Sequence, residues 1–138
     1  MKPVLLDTGV IVALLDRREE FHRACTAAVV NIGSPLITCE AVIAESCYLV
    51  RNLPGAREAI LENVIQGIFQ IPLQLSREAV GVRAVLRKSK DRAIDLADAC
   101  LIHLANEFQI GEVLTLDSDF RTYRWGRNKA FRILPDPC

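Results

Sequence analysis

Hydrophobic residues along this chain form short apolar runs that alternate with longer segments of helical periodicity. Apolar runs of four or five residues predict buried strands. These runs are PVLLD (3–7), PLIT (35–38), IPLQL (71–75), VLTL (113–116) and FRIL (131–134). Longer segments with apolar residues along one side predict helices. They lie at 8–16, 18–31, 39–52, 56–69, 76–90 and 95–108. Strands that alternate with helices predict a small α/β domain with a mainly parallel sheet.

Local signals mark several boundaries between these elements. The Gly-Ser-Pro stretch at 33–35 and the Pro-Gly pair at 54–55 predict the ends of two helices. Ser76 predicts the N-cap of the helix over 76–90, with Glu78 in its first turn. No internal repeat, linker or low-complexity segment interrupts the chain, so we expect one domain over residues 1–138.

Composition and charge bear on the cellular compartment and on the class of partner. The chain has 138 residues, with 17 basic residues balanced by 17 acidic ones, so net charge indicates no partner. Its five cysteines include no CxxC pair, which is typical of reduced, packed cysteines in a cytosolic protein. The apolar N-terminal segment is interrupted by Asp7 and Gly9 and is too short to span a bilayer. We therefore expect this segment to be part of the fold, and the protein to be cytoplasmic with no membrane association.

Carboxylates stand in hydrophobic surroundings at four widely separated positions. Asp7 ends the first predicted strand, Asp117 ends VLTL, Glu45 lies within an apolar helix, and Asp98 lies in the helix that precedes VLTL. Sites in parallel α/β sheets form beyond the carboxyl ends of the strands, so these acids could gather at one edge. Carboxylates gathered there would repel one another unless a cation bound among them. Hard oxygen ligands favour Mg²⁺ or Mn²⁺.

The same residue types are also compatible with different roles. Each acid taken alone could be a helix cap, a turn residue or part of a solvated helix face. The segments HRAC (22–25) and CLIH (100–103) could together supply two histidines and two cysteines to a zinc ion. Asp7 could instead accept a phosphoryl group, although Gly9 stands where such enzymes use a second aspartate.

Four ordered motifs resemble those of the PIN-domain family. They are DTGVIVALLD (7–16), AES (44–46), DLADACLIHLA (95–105) and LTLDSDF (114–120). In order and spacing they cover nearly the whole chain, and they are most similar to the toxin-type, VapC-like ribonucleases of toxin–antitoxin pairs. The resemblance implies a three-layer α/β/α domain in which helices surround a small, mainly parallel sheet.

The resemblance also implies an activity and the residues that carry it. It implies a Mg²⁺- or Mn²⁺-dependent endoribonuclease that hydrolyses RNA phosphodiester bonds with metal-activated water, leaving a 5′-phosphate and a 3′-hydroxyl. The catalytic and metal-binding positions are Asp7, Glu45, Asp98 and Asp117. The auxiliary positions are Thr8, Asp95, Thr115 and Asp119. Of the two auxiliary acids, Asp95 is the better candidate to face the site.

Positive charge is concentrated in two segments, which hold ten of the seventeen basic residues. They are RAVLRKSKDR (83–92) and RTYRWGRNKAFR (121–132), the second of which also contains Tyr123, Trp125 and Phe131. An acidic site repels a polyanion, whereas basic patches bind phosphates and exposed aromatic rings stack on single-stranded bases. The predicted RNA contacts are Arg121, Arg124, Trp125 and Arg127. The alternative is that Trp125 belongs to the core and the arginines are merely solvated.

The resemblance implies protein partners as well: a second copy of the chain in a homodimer, and a small antitoxin protein. The apolar helices around 41–50 and 59–69 could supply both surfaces. An alternative function of a different class is a catalytically silent PIN-like module that binds RNA or protein.

Overall fold

A computed structural model describes residues 2–89 and 93–136 of the chain. The helices are α1 (Thr8–Leu15), α2 (His22–Ile32), α3 (Glu40–Leu49), α4 (Ala56–Ile65), α5 (Leu75–Lys88) and α6 (Leu96–Phe108). The strands are β1 (Val4–Leu6), β2 (Leu36–Ile37), β3 (Phe69–Gln70), β4 (Glu112–Leu114), β5 (Arg124–Trp125), β6 (Lys129–Ala130) and β7 (Arg132–Leu134). A short 3₁₀ helix, Ser118–Arg121, follows β4.

Five of the strands form a parallel sheet in the order β3-β2-β1-β4-β7. The ladder continues past the strand ends, since Asp7 donates its N–H to the Leu114 carbonyl at 2.9 Å and Thr115 donates to the Leu134 carbonyl at 2.9 Å. All five strands end at the same edge because they are parallel. The predicted α/β architecture with a mainly parallel sheet is therefore confirmed, and its hydrogen bonds continue to the carboxyl edge.

Helices cover both faces of this sheet. Successive side chains of a strand point to opposite faces, and Leu5 and Leu6 of β1 are both completely buried. This burial explains why the strands appear in the sequence as continuous apolar runs without alternation. On α6, every residue from Ala97 to Ala105 is buried, so this helix contributes more than one face to the interior.

Several predicted boundaries were wrong. The helix predicted over 56–69 ends at Ile65, because the chain turns at Gly67 and Phe69 already belongs to β3. IPLQL is not a strand, because the turn at Gly67 (φ 77°) lets the chain enter the sheet earlier, where Phe69 pairs with Leu36. Ser76 is not an N-cap, because α5 begins one residue earlier and the Glu78 carboxylate accepts from the N–H of its cap residue, Gln74, at 2.9 Å. The second helix begins at residue 22 instead of 18, because a turn precedes it.

Strands β5 and β6 form an antiparallel hairpin that the hydrophobic pattern did not predict. Trp125 pairs with Lys129, and the turn between them holds Gly126 and Asn128 at positive φ, 55° and 60°. The N–H of Gly126 donates to Asn106 Oδ1 at 2.7 Å, which fastens the hairpin to α6. Each strand has two residues, which is too short to show an alternating pattern.

The cysteines agree with the prediction of reduced, packed thiols. Cys25, Cys39 and Cys100 are buried, Cys47 is half-buried, and all four are free. Cys138 lies outside the described residues, as do Lys90 and its two successors in the first basic segment. None of the helices in the described ranges has the length and apolar character needed to cross a bilayer.

Candidate active site

Three aspartates converge at the carboxyl edge of the sheet. Asp7 follows β1 directly, Asp117 lies three residues beyond β4, and Asp98 occupies the first turn of α6. One carboxylate oxygen from each residue lies within 4.8 Å of the other two. Asp7 and Asp98 are buried, whereas Asp117 is exposed. Carboxylates this close repel one another, so the group is suited to a bound divalent cation.

The starts of two helical segments fix two of these carboxylates. Asp7 is the N-cap of α1 and accepts from the N–H of Thr8 at 2.8 Å. Asp117 is the N-cap of the 3₁₀ helix and accepts from the N–H of Asp119 at 2.9 Å. The capping role that each residue could play alone is therefore real, and helix starts also favour negative charge. Capping orients the carboxylates without excluding a cation, since each oxygen has a further lone pair.

A hydroxyl group donates to one oxygen of each buried carboxylate. Thr115 Oγ1 donates to Asp7 Oδ2 at 2.7 Å and accepts from the N–H of Asp117 at 3.0 Å. Tyr123 OH donates to Asp98 Oδ2 at 2.9 Å. Tyr123 is buried, so it is not an exposed ring available for base stacking, as its position in the basic segment had suggested. Its contact with Asp98 is the site feature that sequence reasoning missed, and no local pattern around residue 123 indicated it.

Glu45 lies beside the three-aspartate group without joining it. Its side chain is exposed on α3, and its Oε1 accepts from Thr8 Oγ1 at 2.7 Å. Thr8 is the residue next to Asp7, so a single hydroxyl connects the glutamate to the group. The charge of Glu45 also contributes to raising the pKa of Asp7. The structure thus brings Glu45 to the rim of the site.

Burial and mutual repulsion favour the protonated form of two of these acids. Burial raises the pKa of Asp7, and the hydrogen bond from Thr115 offsets this only in part. Burial, followed by the charges of Asp7 and Asp95, raises the pKa of Asp98 to about 7. A raised pKa means that the carboxyl group keeps its proton to higher pH, and a bound cation would replace that proton.

The two auxiliary acids differ in what they contact. Asp95 is the N-cap of α6, and its Oδ1 accepts from the N–H of Asp98 at 3.0 Å. Asp119 contacts Asp117 through its backbone N–H, and its side chain is exposed. Asp95 therefore orients the segment that carries Asp98, and it adds negative charge beside it.

The predicted RNA contacts surround the hairpin. Arg121 ends the 3₁₀ helix, Arg124 lies on β5 and Arg127 lies in the hairpin turn, and all three are exposed. Trp125 is half-buried: its ring centroid lies 6.5 Å from that of Phe131, and its Nε1 donates to the Ala130 carbonyl at 3.3 Å. Only part of the Trp125 ring therefore faces solvent.

The two basic segments meet at one cavity of about 230 Å³. Lys88, at the end of α5, and Arg124 both line it. Tyr123 lines it as well, and the hydroxyl of this residue holds Asp98. Positive charge from separate parts of the sequence is thus placed on one side of the acidic group.

The four residues considered for zinc do not form a site. His22 Nδ1 lies 2.7 Å from the Ala13 carbonyl, and His103 Nε2 lies 3.0 Å from Glu78 Oε1. The Cys100 thiol shares a hydrogen bond with Cys39. Within residues 2–89 and 93–136, the aspartate group is the one cluster of three or more such ligands that the structure brings together.

Comparison with known proteins finds a matching family, a related protein and a similar solved structure. Residues 4–126 match the family model of the PIN domain. Ribonuclease VapC26 of Mycobacterium tuberculosis is 28% identical over 138 residues, a match that spans 96% of this chain and 100% of that protein. The crystal structure of Mycobacterium tuberculosis VapC20, described as a sarcin–ricin loop cleaving toxin, is similar with a TM-score of 0.74 at 16% identity. That match covers 86% of this chain and 93% of VapC20.

Proposed function

This chain belongs to the PIN-domain family, and from that premise we propose that it is a metal-dependent endoribonuclease, the toxin of a toxin–antitoxin pair. The observation that carries the proposal is the group of three aspartates whose oxygens lie within 4.8 Å of one another. The names of VapC26 and VapC20 support RNA as the substrate. We treat residues 1–138 as one nuclease domain.

The donor set fits Mg²⁺ or Mn²⁺. Asp7, Asp98 and Asp117 supply hard oxygen ligands. Burial and neighbouring charges raise the pKa values of the two buried acids, and a bound cation would offset both effects. We assign the cation to these three residues and place Glu45 at the open side of the site, where water and RNA enter. When bound, a divalent ion would lower the pKa of a coordinated water and neutralise charge on the phosphate.

The chain's own residues perform the positioning. Thr115 and Tyr123 hold Asp7 and Asp98 by hydroxyl donation, so the carboxylates do not reorient during the reaction. Thr8 holds Glu45 in the same way. Hydrolysis forms a bond from the water oxygen to phosphorus and breaks the bond to the 3′ oxygen. The products then carry a 5′-phosphate and a 3′-hydroxyl.

Binding of the polyanion requires positive charge away from the acids. We assign phosphate contacts to Arg121, Arg124 and Arg127, which are exposed, and an edge contact to the accessible part of Trp125. Lys88 extends this surface, since it lines the same cavity as Arg124. Each such contact makes binding dependent on salt concentration.

The proposal includes protein partners and a location. Large apolar side chains are exposed on α3, on α4 and just after α4, and they suit a homodimer or an antitoxin contact. They are Tyr48, Leu49, Leu61, Ile65 and Ile68. A cytoplasmic location follows from an RNA substrate and from free cysteines.

The decisive experiment is RNA cleavage in Mg²⁺ or Mn²⁺ by the wild-type protein, Asp7→Asn and Asp98→Asn. We expect the wild type to cleave and each variant to be slower by roughly 100-fold or more, because each loses a ligand to the ion. Glu19→Gln, an exposed acid outside the aspartate group, is the matched control. Unchanged cleavage in both aspartate variants would refute the site. RNA binding with no cleavage in either metal would favour the silent binding module.

A further inference from the structure

A second cavity, of about 350 Å³, adjoins the aspartate group on the side of Asp117. We call it the Asp117 cavity. Its walls come from the chain after β4 and β7, the start of α2 and the 3₁₀ helix. The lining residues that matter here are Phe21, Leu116, Asp117, Arg121, Pro135 and Asp136. Its volume falls within the range of roughly 300–1,000 Å³ that is typical of small-ligand sites.

Apolar groups in this cavity are left exposed beside a charged site. Phe21 is 45% exposed and Leu116 is 38% exposed. Phe21 directly precedes α2, whose Cys25 is fully buried, so the ring sits outside the core that its own helix helps to build. An aromatic ring in this position is available to stack on a planar ligand.

The charges of the cavity favour a neutral group over a phosphate. Asp117 and Asp136 put carboxylates in its wall, and Arg121 is the single cation among its described lining residues. Carboxylates repel phosphates, but they accept hydrogen bonds from the amino groups and ring N–H groups of bases. A nucleotide can meet both conditions: its base can enter the cavity and donate hydrogen bonds, while its phosphate stays outside, away from the carboxylates.

The cavity is continuous with the aspartate group, and this position indicates which ligand it would bind. Asp117 belongs both to the cavity and to the group that we assign to the cation. A base attached next to the scissile phosphate therefore lies within reach of the cavity. We propose that the Asp117 cavity binds one unpaired base adjacent to the cleaved bond, stacked on Phe21 with an N–H edge toward Asp136. This inference rests on the proposed ribonuclease function.

The first test uses a pool of short random-sequence oligoribonucleotides, cleaved in Mn²⁺, with the cut ends identified by sequencing. The wild type should prefer certain bases at one position next to the cut. In Phe21→Ala that preference should flatten, and kcat/KM should fall by roughly 5- to 150-fold, the range expected for one lost base–aromatic stack. Phe21→Leu should behave like the alanine variant, and Phe21→Tyr should behave like the wild type, because only an aromatic ring can stack.

Phe108→Ala is the matched control, since Phe108 is 52% exposed at the end of α6 and does not line the cavity. It should leave both rate and base preference unchanged. The proposal is overturned if Phe21→Ala cleaves with wild-type rate and preference. It is also overturned if Phe21→Leu retains full preference.

A second measurement separates this inference from the proposed function. In the Asp98→Asn background, RNA affinity is measured by fluorescence anisotropy with the same pool, so that cleavage is not required. Phe21→Ala should weaken binding and Phe108→Ala should not. If the protein with the native Asp98 does not cleave RNA, the ribonuclease assignment is wrong. If Phe21→Ala and Phe108→Ala bind RNA with equal affinity, the cavity does not bind a base.

Discussion

Asp98 is a residue whose position favours the site but whose buried charge destabilises the fold. Its backbone N–H donates to Asp95 and its carboxylate accepts from Tyr123, and these two hydrogen bonds hold it facing the interior. Burial and neighbouring charges raise its pKa to about 7. Charged carboxylates in such surroundings destabilise the fold, and functional sites are where proteins retain that strain.

This cost predicts a pH dependence of stability in the metal-free protein. The pKa of Asp98 is about 7 when folded and 3.8 in its ordinary state, so between these values the folded chain holds a proton that the unfolded chain has lost. The free energy of unfolding should therefore fall as pH rises from about 4 to about 7. The raised pKa of Asp7 acts in the same direction. Urea unfolding in EDTA across this range measures the effect.

Asp98→Asn should reduce the slope of that profile and leave the contribution of Asp7. The amide stays neutral and its oxygen still accepts from Tyr123, so the free energy of unfolding at about pH 8 should rise by on the order of 1–3 kcal/mol. Glu19→Gln should keep the wild-type profile. An unchanged slope in Asp98→Asn would show that another group governs the pH dependence.

A second prediction at this scale concerns Tyr123. Tyr123→Phe removes the hydroxyl that donates to Asp98, a hydrogen bond that lowers the pKa of the carboxyl. Cleavage should slow by roughly 10-fold, and the acidic limb of the pH–rate profile should move to higher pH, since Asp98 then ionises later. Tyr48→Phe, at a position 62% exposed on α3, is the control. A uniform loss of rate with no shift of the limb would assign Tyr123 a packing role alone.

Among the elements, α6 connects the site to the rest of the fold. Its first turn and cap hold Asp98 and Asp95, its middle is buried, and Asn106 near its end anchors the hairpin. His103, buried on α6, lies 3.0 Å from Glu78 of α5. The position of the site therefore depends on how closely α5 packs against α6.

Gly81 controls that packing. A Cβ at this position would lie 2.6 Å from Nδ1 of His103, which is held by Glu78 and has little room to move. Gly81→Ala should destabilise the protein by about 1–3 kcal/mol, even though alanine favours a helix over glycine by roughly 1 kcal/mol. Urea unfolding measures the change.

The double variant with His103→Ala is the control for Gly81→Ala. Without the imidazole ring the alanine methyl has space, so in that background Gly81→Ala should be neutral or stabilising. The two substitutions should therefore be strongly non-additive. Additive losses would mean that the glycine is required for another reason.

At the scale of the whole molecule, the sheet brings acids from both halves of the sequence to one edge. Asp7 and Thr115 are 108 positions apart and are joined by a hydrogen bond. A cation held by Asp7, Asp98 and Asp117 would therefore crosslink β1, the start of α6 and the segment after β4.

Metal binding should stabilise this assembly. With Mn²⁺ or Mg²⁺ at about a hundredfold excess over Kd, the free energy of unfolding should rise by about 2.7 kcal/mol relative to EDTA. Thermal unfolding should show this as an increase of several degrees in Tm. Asp7→Asn should lose the increase and Glu19→Gln should retain it. An equal increase in Asp7→Asn would place the ion elsewhere.

The exposed apolar surface of α3 and α4 leads to a prediction about assembly. Ile65 is 74% exposed on α4, and Leu61 on the same helix is 50% exposed. We expect a homodimer by sedimentation, and Ile65→Lys should shift it to monomer because the charge would be buried at the interface. Val30→Lys, at an equally exposed position on α2, should remain dimeric. A monomeric wild type, or dissociation in both variants, would contradict this assignment.

Sequence alone determined the six helices, four of the five strands of the parallel sheet, and the edge at which the aspartates gather. These features follow from local information, since apolar runs, helix periodicity and caps depend on residues close together in the chain. The same information gave the family resemblance, which the match over residues 4–126 confirms.

Only the tertiary structure decided which side chains meet. It turned Tyr123 inward to Asp98, held Glu45 through Thr8, and formed the hairpin around Gly126. It also left Phe21 exposed beside Asp117. Contacts of this kind depend on strand register and helix packing across the chain, and no local pattern of residues encodes them.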